Sequence, residues 1–267
     1  RRRWWCGSRW RQRHARHPGR AAECVARRAT PLAEVPGSEL LRSVPGELDF
    51  RGLEVALPGR EDLDGLAGLL LESFERRYIE PRLLDEAQWG PVAQWWQGLL
   101  RWSEQGLIGA GLEKRLEGML CGPSLRRPSG AGGLAVVLAG PGQAAGAPAA
   151  FFELCLLPPD GRRPGSSLRP PGGAAPEPEP YMLNLCVARR LRRQGHGRRM
   201  LRLAEAIVVH IWGGRRLFLH TDSDPAATGL YTSLGYASVG RGTDGGAGIS
   251  HMCKQLLPSA TQRTRTR

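Results

Sequence analysis

Apolar positions recur along the chain with two periods, and the alternation between them sets the expected elements. Leu53, Val55 and Leu57 alternate with polar neighbours, which predicts a strand within Leu48–Leu57 that begins near Gly52. After the Pro58-Gly59 turn, Leu63, Leu66, Ala67, Leu70 and Phe74 fall three and four apart. Glu61–Tyr78 is therefore expected as a helix with acids in its first turn. Residues 83–121 also read as helical, with Trp89, Trp95, Trp96, Leu99 and Leu100 as packing residues. Short apolar runs predict strands at Leu134–Ala139, Ala149–Leu157 and Tyr181–Val187. Met200, Leu203, Ala204, Ile207, Val208 and Ile211 place a helix over Gly197–Trp212. A strand at Arg215–Thr221, a short helix at Pro225–Leu234 and strands at Tyr236–Val239 and Ile249–Leu256 complete the pattern. Asp224, Pro225 and Gly235 suit the cap, first turn and end of that short helix.

Strands and helices in this order predict the α/β class, with one mixed central β-sheet flanked by helices. Residues 1–47 show no sustained period and read as leader and linker. The domain is expected over 48–257, followed by a disordered basic tail over 258–267. Pro158–Pro180 holds eight Pro and four Gly in 23 residues and reads as an exposed, disordered insertion.

Charge changes the picture mainly at the ends. The net charge of +13 favours anionic partners, but residues 1–22 hold eight Arg and no acid. Such a segment resembles an organelle transit peptide, which points to a plastid, with cytoplasm or nucleus as the alternative. A nucleic-acid-binding arm is the other reading. Much of the excess lies in this leader and in Arg263, Arg265 and Arg267, which argues against nucleic acid as the partner. No apolar run approaches the ~20 residues of a membrane span. The six cysteines include no CxxC pair, so neither a metal site nor a disulfide framework is expected.

The chemistry concentrates between the strand Tyr181–Val187 and the helix that follows it. Arg192, Arg193, Gln194, Gly195, His196, Gly197 and Arg198 form a basic, glycine-containing loop at a helix N-terminus. Converging amides and the helix dipole favour an anion there, and glycines let backbone approach a diphosphate. A basic, solvated helix start without a ligand fits the same residues. A GxxxxGK[ST] phosphate loop is missing, and Met200 stands where a GxGxxG fingerprint needs its third glycine.

The string Arg192-x-x-Gly195-x-Gly197 is similar to the acetyl-CoA-binding signature of the GNAT superfamily of N-acetyltransferases. A second string, Asp224-Pro225-Ala226-Ala227-Thr228-Gly229-Leu230-Tyr231-Thr232-Ser233-Leu234-Gly235-Tyr236, resembles that family's N-x-x-A-x-x-L-Y-x-x-L-G-[F/Y] motif. The chain looks most like plant and algal plastid members, which acetylate protein lysines and N-termini. The resemblance implies a GNAT fold and acetyl-CoA as co-substrate, without a metal. It further implies that Leu185, Cys186 and Val187 pair with the pantetheine arm, and that Tyr231 protonates the leaving thiolate. Asp224 departs from the family's Asn and puts a negative charge near the phosphates.

The acceptor amine must lose a proton before it attacks. Glu153, within an apolar strand where burial would raise its pKa, is the candidate base; a salt-bridged or edge-exposed glutamate fits the same sequence. Asn184 could position a water. His220, out of phase with Leu217 and Leu219, reads as core before site. The expected activity is acetyl transfer from acetyl-CoA to a protein or peptide amine. The alternatives are a small-molecule amine acetyltransferase and a catalytically decayed acetyl-CoA-binding protein.

Overall fold

The computed structural model describes residues 30–35, 50, 52–75, 79, 83, 85–121, 124–128, 132–140, 148–159, 177–222, 224–241 and 249–256. Its elements in chain order are β1 (Thr30–Pro31), β2 (Glu54–Leu57), α1 (Leu63–Ser73), α2 (Glu86–Trp89), α3 (Pro91–Cys121), β3 (Gly133–Ala139) and β4 (Ala150–Leu157). Then come β5 (Glu179–Val187), α4 (His196–Ala206), β6 (Arg216–Asp222), α5 (Pro225–Ser233), β7 (Ala237–Arg241) and β8 (Ile249–Gln255). Among the described residues the eight strands make one sheet in the order β1-β2-β3-β4-β5-β6-β8-β7. Only β5 and β6 run parallel. The class is the mixed α/β one that the alternating periods predict.

Two details differ from the sequence reading. Thr30–Pro31 pairs with Ala56 and Leu57, so a strand lies upstream of residue 48, where no hydrophobic period announces one. A two-residue strand is too short to show a period of two. The helix over residues 197–212 leaves α geometry at Ile207 and ends as a π turn, Ile207–Ile211. Most of the expected leader, insertion and tail lies outside the described residues.

The core is built from both faces of the sheet and the helices packed on them. Leu66, Ala67 and Leu70 of α1 are buried, as are Met200, Leu203, Ala204, Ile207 and Val208 of the helix after β5. The tryptophan-rich segment corrects the expectation of a core. Leu100 is buried and Trp96 packs with Leu71 and Ile79. Trp89 and Leu99 are exposed, and Trp95 and Trp102 keep 66% and 75% of their surface in solvent. The 31-residue helix packs one side on α1 and β3 and leaves its outer face, which carries Trp95 and Trp102, in solvent. Gln105 Nε2 donates to the Asp64 carbonyl at 3.2 Å and Gly109 faces Ala67, so the packed side is turned toward α1.

Asp62 closes the turn into α1 by accepting a hydrogen bond from the Gly59 N–H at 2.7 Å. Burial pushes its carboxyl up to about 6, against the lowering effect of that bond. The folded state therefore holds this proton more tightly than the unfolded chain. The resulting stability is fully present below about pH 4 and is lost as pH rises through 6. An Asp62→Asn variant keeps an acceptor for Gly59 and escapes this loss. Relative to wild type it should gain on the order of 1 kcal/mol between about pH 4 and 7, after solvent screening, as read from urea unfolding at each pH.

Candidate functional site

The sheet opens between β5 and β6. Only Tyr181↔Phe218 and Met182↔Leu219 are in register, and both strands continue beyond these pairs. Leu183–Val187 on one side and His220–Asp222 on the other thus border a gap whose backbone groups are offered to a ligand. Asn184 sits at φ 53 beside a register shift between Phe151 and Glu153, so β5 bulges at the mouth of the gap. Periodicity cannot announce a bulge, because it is one residue long.

The chain leaves β5 through a 3-10 turn (Arg189–Leu191) and reaches α4 by a loop with two left-handed residues, Arg193 at φ 65 and Gly195 at φ 84. Gly195 is the N-cap of α4 and no side chain caps the helix. Its first amides are thus left for an anion, where the dipole is positive. Arg192, Arg193 and Arg198 are exposed around this opening. Arg192 Nε donates to the Val187 carbonyl at 2.9 Å and Arg199 Nη1 to the Gln194 carbonyl at 2.9 Å, so two arginines brace the loop. A Cβ at Gly197 would lie 3.6 Å from Leu230 Cδ2 and 3.7 Å from Val187 Cγ2, which places this residue against both the strand end and α5. His196 is buried, so its side chain belongs to the packing under the loop rather than to the opening. Uncapped amides and flanking guanidinium groups fit a diphosphate.

Leu185 and Val187 are partly exposed along the gap and Cys186 is buried beneath it. Burial pushes the Cys186 thiol up to about 12, with the Ser73 hydrogen bond opposing it, and burial does the same to Cys155. These thiols stay protonated at neutral pH and cannot act as nucleophiles, which leaves no acyl-cysteine route through them.

Asp224 caps α5: its Oδ1 accepts from the Ala226 N–H at 2.9 Å, with Pro225 at the first helical position. Tyr231 is buried on this helix and meets Tyr236 edge-on, with ring centroids 5.9 Å apart. The Leu234 and Tyr236 amides both donate to the Tyr231 carbonyl, which fixes its backbone at the helix end.

Glu153 resolves to the salt-bridged reading. Its carboxylate accepts from Arg115 Nε at 2.8 Å, Arg115 Nη2 at 3.0 Å and Asn184 Nδ2 at 2.5 Å, and the residue is 1% exposed. Three donors fill three of the about four lone-pair sites of the carboxylate. Asn184 thus holds Glu153 where the sequence had suggested that it positions a water. Arg115 was invisible in the sequence, because it reaches the strand from a helix 38 residues away. Removing it strands a buried charge, as breaking any buried pair does. Arg115→Ala should cost about 2 kcal/mol in chemical unfolding, less than the ~3–5 of a fully buried pair because water reaches the guanidinium.

A stack of rings lies beside the gap and includes His220, which the sequence assigned to the core before the site. His220 and His251 are direct cross-strand partners with centroids 4.9 Å apart, and Tyr181 Oη lies 2.7 Å from His251 Nε2. Among the described residues no group of three metal-ligating side chains occurs, and no helix is long and apolar enough to cross a membrane.

The chain is similar to known proteins. The family model described as Acetyltransferase (GNAT) family matches residues 69–236. A chloroplastic GCN5-related N-acetyltransferase 5 from Arabidopsis thaliana is 30% identical over 92 residues, covering 34% of this chain and 27% of that protein. Among solved structures, the PaiA N-acetyltransferase from Thermoplasma acidophilum in complex with coenzyme A is 15% identical over 76% of this chain and 98% of its own, with TM-score 0.44. A GNAT-family acetyltransferase from Staphylococcus aureus is 10% identical over 77% and 99%, with TM-score 0.47.

Proposed function

The chain belongs to the GNAT acetyltransferase family, whose members move an acetyl group from acetyl-CoA, and from that premise we propose that its acceptor is a protein amine, a lysine side chain or an N-terminal α-amine. The observation that carries the site assignment is the uncapped, arginine-flanked start of α4 beside the open edge of β5. On this reading the amides and guanidinium groups of Arg192–Arg198 hold the CoA diphosphate. Leu185, Cys186 and Val187 pair through their backbone with the pantetheine arm. The amine nitrogen attacks the acetyl carbon, the C–S bond breaks and Tyr231 supplies a proton to the departing sulfur. Glu153 keeps Asn184 and the β5 bulge in place through its ion pair with Arg115. Asp224 serves as a helix cap where the family carries Asn.

Support for a protein acceptor is the resemblance of the Arg192–Gly197 and Asp224–Tyr236 strings to plastid members that acetylate proteins; the chain spans about a quarter of the chloroplastic N-acetyltransferase relative. The same relative and the Arg-rich, acid-free residues 1–22 support a plastid location. Co-expression in a bacterial host followed by mass spectrometry of the host proteins tests the acceptor. New acetyl-lysine or acetylated N-termini that vanish with Tyr231→Phe are expected. Turnover on polyamines or amino acids with an unchanged host acetylome would overturn the protein reading and favour a small amine.

A further inference from the structure

The transfer needs a proton acceptor, and the one carboxylate expected for that task is engaged. A primary ammonium must lose a proton before its nitrogen can attack. Glu153 spends its oxygens on Arg115 and Asn184. A second candidate for the base lies on the same face of the sheet as Glu153.

Register identifies what else that face carries. Residues directly opposite one another share a face, and alternate residues along a strand do too. Glu153 pairs with Leu183, Cys155 with Tyr181, Tyr181 with Phe218, and His220 with His251. Glu153, Tyr181, His220 and His251 thus lie on one face, opposite the one on which Met182, Leu217, Leu219 and Met252 join the core. His220 is the first residue of β6 beyond the last pair with β5. It stands where the gap begins, and it is partly exposed, whereas Tyr181 and His251 are buried.

The rings behind His220 are ordered rather than loosely packed. The His220 and His251 rings stack with 21° between planes. His251 lies nearly parallel to Tyr181, at 4°, and is joined to its hydroxyl at 2.7 Å. Tyr181 also stacks on His220 at 5.6 Å, so the three rings form a closed triangle. A buried Tyr–His pair costs desolvation unless its hydrogen bond is made, so the bond fixes His251, and His251 fixes the plane of His220.

We propose that His220 is the base that takes the proton from the acceptor amine, with His251 and Tyr181 as the positioning residues that hold its ring. This rests on the acetyl-transfer reading of the gap. The acceptor ammonium gives one proton to a neutral His220 nitrogen. The freed amine forms the N–C bond, and the C–S bond breaks with its electron pair leaving on sulfur. Tyr231 gives that sulfur a proton, and the new amide nitrogen sheds one that restores the phenol. His220 then releases its proton to water, so one proton leaves per turnover. An unperturbed imidazole titrates near ~6.5, where a base for neutral pH is wanted. The groups facing it are Tyr181 on β5, His251 and Cys253 on β8, and Glu153 and Cys155 on β4. Arg216 lies along its own strand, over the Phe218 ring.

The test is the pH profile of kcat/KM on two probes, a lysine-containing peptide and spermidine, together with acetyl-CoA affinity by calorimetry. Wild type should show an acidic limb in the histidine range. His220→Gln should lose that limb and about 100-fold in rate at pH 7, with acetyl-CoA affinity unchanged. Tyr181→Phe should keep a limb but move its midpoint. Retention of both the limb and the rate by His220→Gln overturns the proposal. Turnover on spermidine alone would instead sink the protein-acceptor reading while leaving the limb to judge His220. NMR titration of the full chain needs no turnover: a His220 ring that takes up no proton between about pH 5 and 8 overturns the assignment.

Discussion

Tyr231→Phe should lower kcat by about 100-fold or more while leaving KM for acetyl-CoA within about twofold. The substitution removes the hydroxyl and keeps the ring and backbone contacts. The ring still meets Tyr236 edge-on, and the Leu234 and Tyr236 amides still bond to the backbone carbonyl. A stability loss beyond about 1 kcal/mol is therefore not expected. On the proposed acid role the loss falls on the chemical step, in which the C–S bond breaks. Burial keeps Cys186 and Cys155 protonated, so neither offers an acetyl-enzyme bypass. Stopped-flow release of the CoA thiol isolates this step from binding. An unchanged kcat from about pH 6 to 9 would remove Tyr231 from the proton inventory.

Gly197→Asp should separate folding from cofactor binding more sharply than any arginine deletion. Position 197 is the second residue of α4, where a carboxylate complements the helix dipole and can accept from the uncapped amides. The added Cβ meets Leu230 and Val187 at ordinary contact distances. Stability should stay level or rise slightly in thermal unfolding. The same carboxylate would fill the anion site and repel a diphosphate. Acetyl-CoA affinity should fall by about 100-fold or more, the equivalent of losing about two charge-assisted hydrogen bonds. Gly197→Ala, which adds bulk without charge, should bind nearly as wild type.

The outline of this site was legible in the sequence where local rules act alone. The helix after β5 announced itself through Met200, Leu203, Ala204 and Ile207, and its bare start through Gly195 and Gly197. Asp224, Pro225 and Gly235 bounded α5 by cap chemistry, which depends on a few neighbouring residues. Features that arise from strands meeting across the sheet were not legible. The bulge at Asn184, the Arg115–Glu153 pair and the ring triangle of Tyr181, His220 and His251 each join segments 31 or more residues apart. His220 was assigned to the core because alternation gives two faces and does not say which is covered. Trp89 and Trp95 fail for the converse reason: bulk and apolarity favour burial, yet the elements packed on one side of these helices cannot cover the outer face.

Everything proposed for this chain requires that backbone amides and arginines at the start of α4 grip a diphosphate. Calorimetric titration of the full chain with acetyl-CoA and, in parallel, with acetyl-pantetheine asks this directly, since the second ligand keeps the thioester and lacks the diphosphate. Saturable binding of acetyl-CoA, weakened by salt, is predicted, with an affinity for acetyl-pantetheine lower by about 100-fold. Equal affinity for the two, or no heat from folded protein at millimolar acetyl-CoA, would contradict it.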